Sequence, residues 1–118
     1  GDIFRENWQS YPFSSTEWNM RPLGVQVYAL AYRTGAAWNE TGFSSPEFDA
    51  LLAEAYGIAD ADRRRVLMAR MEEIVQGSGI IIQAYWRSTF RHMAPSVHGL
   101  VMHPTFEIQL ERTWLDPV

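Results

Sequence analysis

The sequence contains no cysteine, which excludes disulfides and thiolate-bound metal and leaves the redox compartment open. It also lacks any apolar run approaching the roughly 18 to 20 residues that cross a bilayer as a helix. Its first residues do not read as a secretory signal, so the expectation is a soluble chain. Positive charge is scarce: 10 Lys and Arg stand against 14 Asp and Glu, a formal net charge of −4. That balance gives no footprint for nucleic acid, and the run Arg63-Arg64-Arg65 reads as a solvated helix face. There is no G-x-S-x-G elbow, no glycine loop that would cradle a phosphate and no thiol nucleophile. Glu72-Glu73 fits the polar edge of a helix, so no catalytic residue is named and an enzyme is not expected.

What is present is a chain of 118 residues with 47% hydrophobic composition, enough to bury one core. Aromatic residues make up 14%, with five Trp among them, and such rings serve both cores and ligand pockets. The clearest local signal is Ser45-Pro46-Glu47. A hydroxyl that can cap free N–H groups precedes a proline that has none, and a carboxylate sits at the positive end of the helix dipole. The helix is predicted to begin at Pro46. Phe48, Leu51, Leu52, Ala55 and Tyr56 then form one apolar stripe, and Gly57 ends it. Asp60 caps a second helix whose face carries Leu67, Met71, Ile74 and Val75, with Gly77-Ser78-Gly79 as its stop. Together they predict a helix hairpin.

Around the hairpin the signals are shorter. Residues 2–13 suggest a short strand and an irregular connection; Ser14-Ser15-Thr16 is turn-rich, and Pro22 biases Arg21 away from helical geometry. Leu23 to Arg33 fits a helix better than a strand, and Thr34-Gly35 ends it. Ile80-Ile81-Ile82 opens an apolar run through Trp86 that suits a strand buried on both faces. Val97 to Met102 and the alternating Phe106, Ile108 and Leu110 suggest further short strands, and Trp114-Leu115 is expected to pack at the chain's end. Helices followed by strands imply an α/β arrangement, with the hairpin packed on a small sheet.

These residues carry a pattern. WNETGFSSPEFDALLAEA, then DADRRRVLMARMEEIVQ, then GIIIQAYW, then Ser96-Val97-His98-Gly99-Leu100 and His103-Pro104-Thr105 follow in order. The series resembles the C-terminal part of the extracytoplasmic solute-binding proteins of peptide and nickel ABC importers, the family 5 binding proteins. Their usual text is N-x-x-G-[YF]-x-[NS]-x-E-[FY]-D, a D-x-x-x-R-x-x-[LM] helix, an apolar strand and V-x-G-[LY]-x-x-x-P. The resemblance implies a type II periplasmic-binding-protein fold, two α/β lobes closing on a ligand, with residues 1–118 as a single segment forming part of one lobe of a longer chain. It further implies an N-terminal lobe elsewhere in that chain, a signal peptide upstream, a periplasmic or lipid-anchored location, and an ABC permease as partner. No cofactor is expected. A ligand-sensing module of a transcriptional regulator and a metal-delivery protein are the rival readings.

In peptide-binding members of the family, a Trp at the place of Trp18 is followed three positions later by an aspartate that pairs with the peptide's amino group. Here Arg21 stands at that place, and a guanidinium prefers carboxylate or phosphate, so the implied ligand is peptide-like and carries an anionic group. The plainer alternative pairs Arg21 with Glu17. Trp18 and Trp38, both on loops, are the rings placed nearest the ligand, with core packing as the alternative for each. Asn39 is a binding candidate that could equally tie down its loop, and Trp8 is the remaining one. Tyr85, Trp86 and Arg87 end the expected strand, where open α/β sheets often border a crevice. His92, His98 and His103 match no helical pair or zinc spacing, and surface or tail packing is expected of them rather than metal binding.

Overall fold

The computed structural model describes residues 8–117. These divide into two compact units, one ending at Gln83 and one beginning at Ala84. The short strand expected at the start of residues 2–13 lies outside the described residues, and the irregular connection expected after it contains a 3-10 turn, Trp8–Ser10.

The first unit is helical. Helix α1 spans Gly24–Ala31, α2 Pro46–Tyr56 and α3 Ala61–Ser78. Helix α1 has no hydroxyl or carboxylate cap; instead Gln26 Oε1 reaches back to accept from the Leu23 N–H at 3.2 Å. Helix α2 starts where Ser45 Oγ accepts from the Phe48 N–H at 3.2 Å, with Pro46 in its first turn. Helix α3 starts where Asp60 Oδ1 accepts from the Arg63 N–H at 2.8 Å. Each side-chain acceptor satisfies an N–H that the helix itself leaves unpaired. Helix α3 continues through Gly77 and ends at Gly79, whose φ of 69° is the left-handed cap that glycine adopts without steric cost.

The faces these helices share form the core. Val25, Ala31 and Tyr32 from the first segment meet Phe43, Phe48, Leu52 and Ala55 from the second and Met71 and Val75 from α3. Phe48 is the centre, 0% exposed, with its ring 5.3 Å from that of Phe43 and 5.5 Å from that of Tyr28. Tyr56, expected in the stripe, is exposed at the end of α2. Arg63 and Arg65 of α3 face water as expected, whereas Arg64 donates to the Ile58 carbonyl at 2.8 Å and Arg70 bridges Glu47 of α2 and Glu73. The Arg64–Ile58 and Arg70–Glu47 bonds fasten the hairpin across its connection and along its outer face.

The apolar run Ile80–Trp86 corrects the strand expected there. It has no regular structure, and Ile82 and Trp86 are 80% and 89% exposed. β-branched residues favour an extended backbone, but a strand exists only when a neighbour accepts its hydrogen bonds in a ladder, and this segment belongs to no sheet among the described residues.

The second unit contains the two-stranded antiparallel sheet, β1 (Val97–His98) with β2 (Trp114–Leu115), in the register Val97 to Leu115 and His98 to Trp114. The strand expected over Val97 to Met102 is thus confined to its first two residues. The alternation Phe106, Ile108, Leu110 does not become a strand either: Phe106 has a left-handed φ of 63°, and Leu110–Arg112 is a 3-10 turn. Gly99 follows β1 with φ 76°, and a Cβ there would collide with the Arg112 carbonyl and the Trp114 ring. Three helices and a small sheet make an α/β segment, as expected at that level. No helix among the described residues is long and apolar enough to cross a membrane.

Candidate functional site

The loop between α1 and α2 is built around one amide. Asn39 Nδ2 donates to the Phe43 carbonyl at 2.8 Å and to the Arg33 carbonyl at 3.2 Å. Its Oδ1 accepts from Thr41 Oγ1 at 2.9 Å, and Thr41 Oγ1 in turn accepts from the Phe43 N–H at 3.2 Å. Asn39 therefore closes the loop on itself, the structural alternative weighed for it from sequence. Asp49, in the first turn of α2, accepts from the Thr34 N–H at 3.1 Å and fixes the loop's other limb. A loop pinned at both limbs holds its outward side chains in place without a regular element behind it.

The N-terminal connection lies along this loop. Gln9, next to the half-buried Trp8, donates through Nε2 to the Ala37 carbonyl. Thr16 Oγ1 donates to Glu40 Oε2 at 2.6 Å, and Ser14 Oγ to the same oxygen at 3.3 Å. Just beyond, Trp18 meets Trp38, ring centroids 5.8 Å apart and planes inclined at 56°. Trp18 is half-buried against the core, whereas Trp38 is 47% exposed. The structure thus brings Trp18 against Trp38, whose ring is exposed, on the loop that the Asn39 amide closes from within, and it shows no contact of Trp8 with this pair. Arg21 follows as a half-buried residue in the connection that leads to α1.

Glu40 stands on the loop that the sequence marks for binding, but it was not named among the site residues. The signal for it was the hydroxyl cluster Ser14-Ser15-Thr16, which reads as a turn but supplies two donors to one carboxylate. Behind this face the phenols of Tyr28 and Tyr32 are held above the usual tyrosine range. For both the first cause is burial, which disfavours the phenolate; Glu72 adds to it for Tyr28 and Glu40 for Tyr32.

The other candidates belong to the second unit. Tyr85, Trp86 and Arg87 stand in an exposed irregular stretch rather than at the end of a buried strand. His98 bonds Asp116 at 2.8 Å and stacks on Trp114 with centroids 5.7 Å apart, while His103 bonds Thr105 Oγ1 at 2.9 Å and His92 is exposed. Among the described residues no three His, Asp or Glu side chains are grouped to hold a metal ion. A shallow depression of about 250 Å³ lies between the start of α1 and the first turns of α3, lined by Pro22, Leu23, Arg64 and Met68 among others, and it does not include the indole pair.

No family model matches the chain. The chain is similar to the dipeptide-binding protein DppE of Bacillus subtilis (strain 168), with 34% identity over 117 residues. The match takes in 98% of this chain and 21% of that protein, so the chain spans about a fifth of the length of the curated relative it matches. The resemblance to the solute-binding family carried by the order of motifs is thereby borne out.

Proposed function

We propose that this chain is part of the solute-binding component of an ABC importer and contributes one wall of a cleft that takes a peptide or peptide-like ligand. The observation that supports the reading is the match along nearly the whole chain to a protein named for dipeptide binding. The pinned loop that presents Trp38 ahead of α2, with Trp18 of the N-terminal connection set against it, agrees with the reading. Binding would proceed by closure of two lobes on the ligand, with no bond made or broken, and the closed form would be what a membrane permease recognises. Such closure requires that the ligand bind the closed state better than the open one. A periplasmic or lipid-anchored location follows from the same reading.

Trp18, Trp38 and Arg21 are the residues assigned to the ligand, with Asn39 holding the loop beneath them and Trp8 at its margin. The indoles offer flat apolar area with a polar N–H edge. Arg21 offers a planar fork that fits carboxylate or phosphate, so the preferred ligand carries an anionic group. Calorimetric titration of dipeptides and of their amidated forms tests both levels. Binding of dipeptides with loss of affinity on amidation and in Arg21→Asp supports the assignment. Equal affinity for all ligands in both proteins removes Arg21 from the site, and absence of binding to any peptide rejects the solute-binding reading.

A further inference from the structure

We infer that Glu40, two positions after Trp38 on the loop ahead of α2, is the seat of a cationic amine group on the ligand. The inference rests on the reading of this face as a binding wall and adds to it the chemistry of one of the ligand's ends. Three observations carry it.

The first is the arrangement of bonds on the carboxylate. Both hydroxyls that reach Glu40 fall on the same oxygen, Oε2, Thr16 at 2.6 Å and Ser14 at 3.3 Å. These bonds fix the group, while Oε1 receives none from the described residues and keeps its lone pairs for another donor. The second is charge. The ion pairs that join Arg65 to Asp62, Arg70 to Glu47 and Glu73, His98 to Asp116 and His103 to Glu107 do not include Glu40. A fixed, half-buried carboxylate without a cation attracts one.

The third is the aromatic surround. The Glu40 N–H donates to the Trp38 carbonyl at 3.0 Å, so carboxylate and indole leave the same tight turn, and Trp38 touches Trp18. The field of Glu40 also reaches the phenol of Tyr32. Aromatic faces draw cations through the ring quadrupole, and an ammonium N–H to a carboxylate oxygen makes one of the stronger hydrogen bonds. A primary ammonium satisfies both at once, with one N–H on Oε1 and its charge over an indole. Ser14 and Thr16, both bonded to Oε2, act as positioning residues for the acceptor.

The test is nuclear magnetic resonance of the indole Nε1–H signals in this chain, titrated with methylammonium chloride against sodium chloride at equal ionic strength. A saturable shift at Trp18 and Trp38 with methylammonium and none with sodium is expected, weakened about tenfold in Glu40→Gln, which keeps the acceptor for Ser14 and Thr16. Shifts that grow linearly, or that are equal for the two cations, overturn the inference without recourse to any variant, and so does an unchanged midpoint in Glu40→Gln. Dipeptide titration separates this outcome from the broader reading. If dipeptides bind wild type and Glu40→Gln alike, the solute-binding reading stands and the amine seat falls. If methylammonium saturates and no peptide binds, the seat stands and the solute-binding reading falls.

Discussion

Trp18 and Trp38 stand twenty positions apart in the chain and meet with their ring centroids 5.8 Å apart. The contact joins the N-terminal connection to the loop ahead of α2, and it sits beside the hydroxyl bonds to Glu40 that join the same two segments. Tilted aromatic pairs contribute about 0.5–1.5 kcal/mol beyond the area they bury. A double-mutant cycle of Trp18→Ala and Trp38→Ala, read by urea denaturation, is expected to give a coupling energy in that range. Strictly additive losses would show that the rings share a face without stabilising each other.

Phe48 has no exposed surface and lies against Phe43 and Tyr28. Phe48→Ala removes a ring from the centre of the core and leaves a cavity that both α1 and α2 border, with an expected cost of about 3–5 kcal/mol. A fall in the urea midpoint of corresponding size checks it, and Phe48→Leu is expected to fall by less.

The two side-chain caps give a local comparison. Ser45→Ala and Asp60→Ala each remove an acceptor from a helix N-terminus and are expected to cost about 0.5–2 kcal/mol, whereas the glycine variants should lose only a few tenths. Thermal unfolding followed by circular dichroism ranks them. Equal stability of alanine variants and wild type at both positions would mean that water replaces the side-chain oxygens without cost.

Alkaline pH is expected to loosen the helical unit. The phenols of Tyr28 and Tyr32 are raised in the folded chain, mainly by burial. The unfolded chain therefore releases these protons first, near the ordinary tyrosine value of about 10. Their contribution to stability is complete below that pH and declines from there up to the higher folded values. Urea midpoints measured between pH 8 and 11.5 should fall above about pH 10, and the fall should be shallower in Tyr28→Phe. An identical slope in wild type and in Tyr28→Phe and Tyr32→Phe would remove these groups from the linkage.

Two glycines with nearly the same backbone separate strain from collision. Gly99 and Gly35 have φ of 76° and 70°, but a Cβ at Gly99 meets the Arg112 carbonyl and the Trp114 ring, whereas at Gly35 it meets nothing. Gly35→Ala is expected to cost about 1–2 kcal/mol from the left-handed backbone alone. Gly99→Ala should also disrupt the pairing of Val97–His98 with Trp114–Leu115. Loss of the ring-current shift that Trp114 imposes on His98 reports it, and retention of that shift would contradict the packing.

The helical part of the fold was legible because its signals are local. Ser45-Pro46-Glu47 and Asp60 fix helix starts through neighbours within one turn, and both starts fall where the sequence puts them. The sheet was legible only in part. Strand pairing joins residues far apart, and nothing at Val97 names Leu115 as its partner. The run Ile80–Trp86 has strand composition, yet composition supplies no neighbour, and the segment lies open. In the candidate site, the placement of Trp18 and Trp38 as neighbours followed from loop position and family pattern. The inward role of Asn39 depended on carbonyls at Arg33 and Phe43 that only the closed loop brings to it. The pairing of Glu40 with Ser14 and Thr16 was not legible because these donors precede it by more than twenty residues.

The open stretch that follows α3 also bears on how the polypeptide behaves in bulk. Ile82, Tyr85, Trp86 and Phe90 are all exposed, and from Ile80 to Trp86 there is neither a proline nor a charge. Such a segment has the composition of a self-associating strand, and among the described residues it belongs to no sheet. Concentration, and not temperature alone, therefore becomes a variable of handling: the same molecules that stay dispersed when dilute have, when crowded, a ready template in one another.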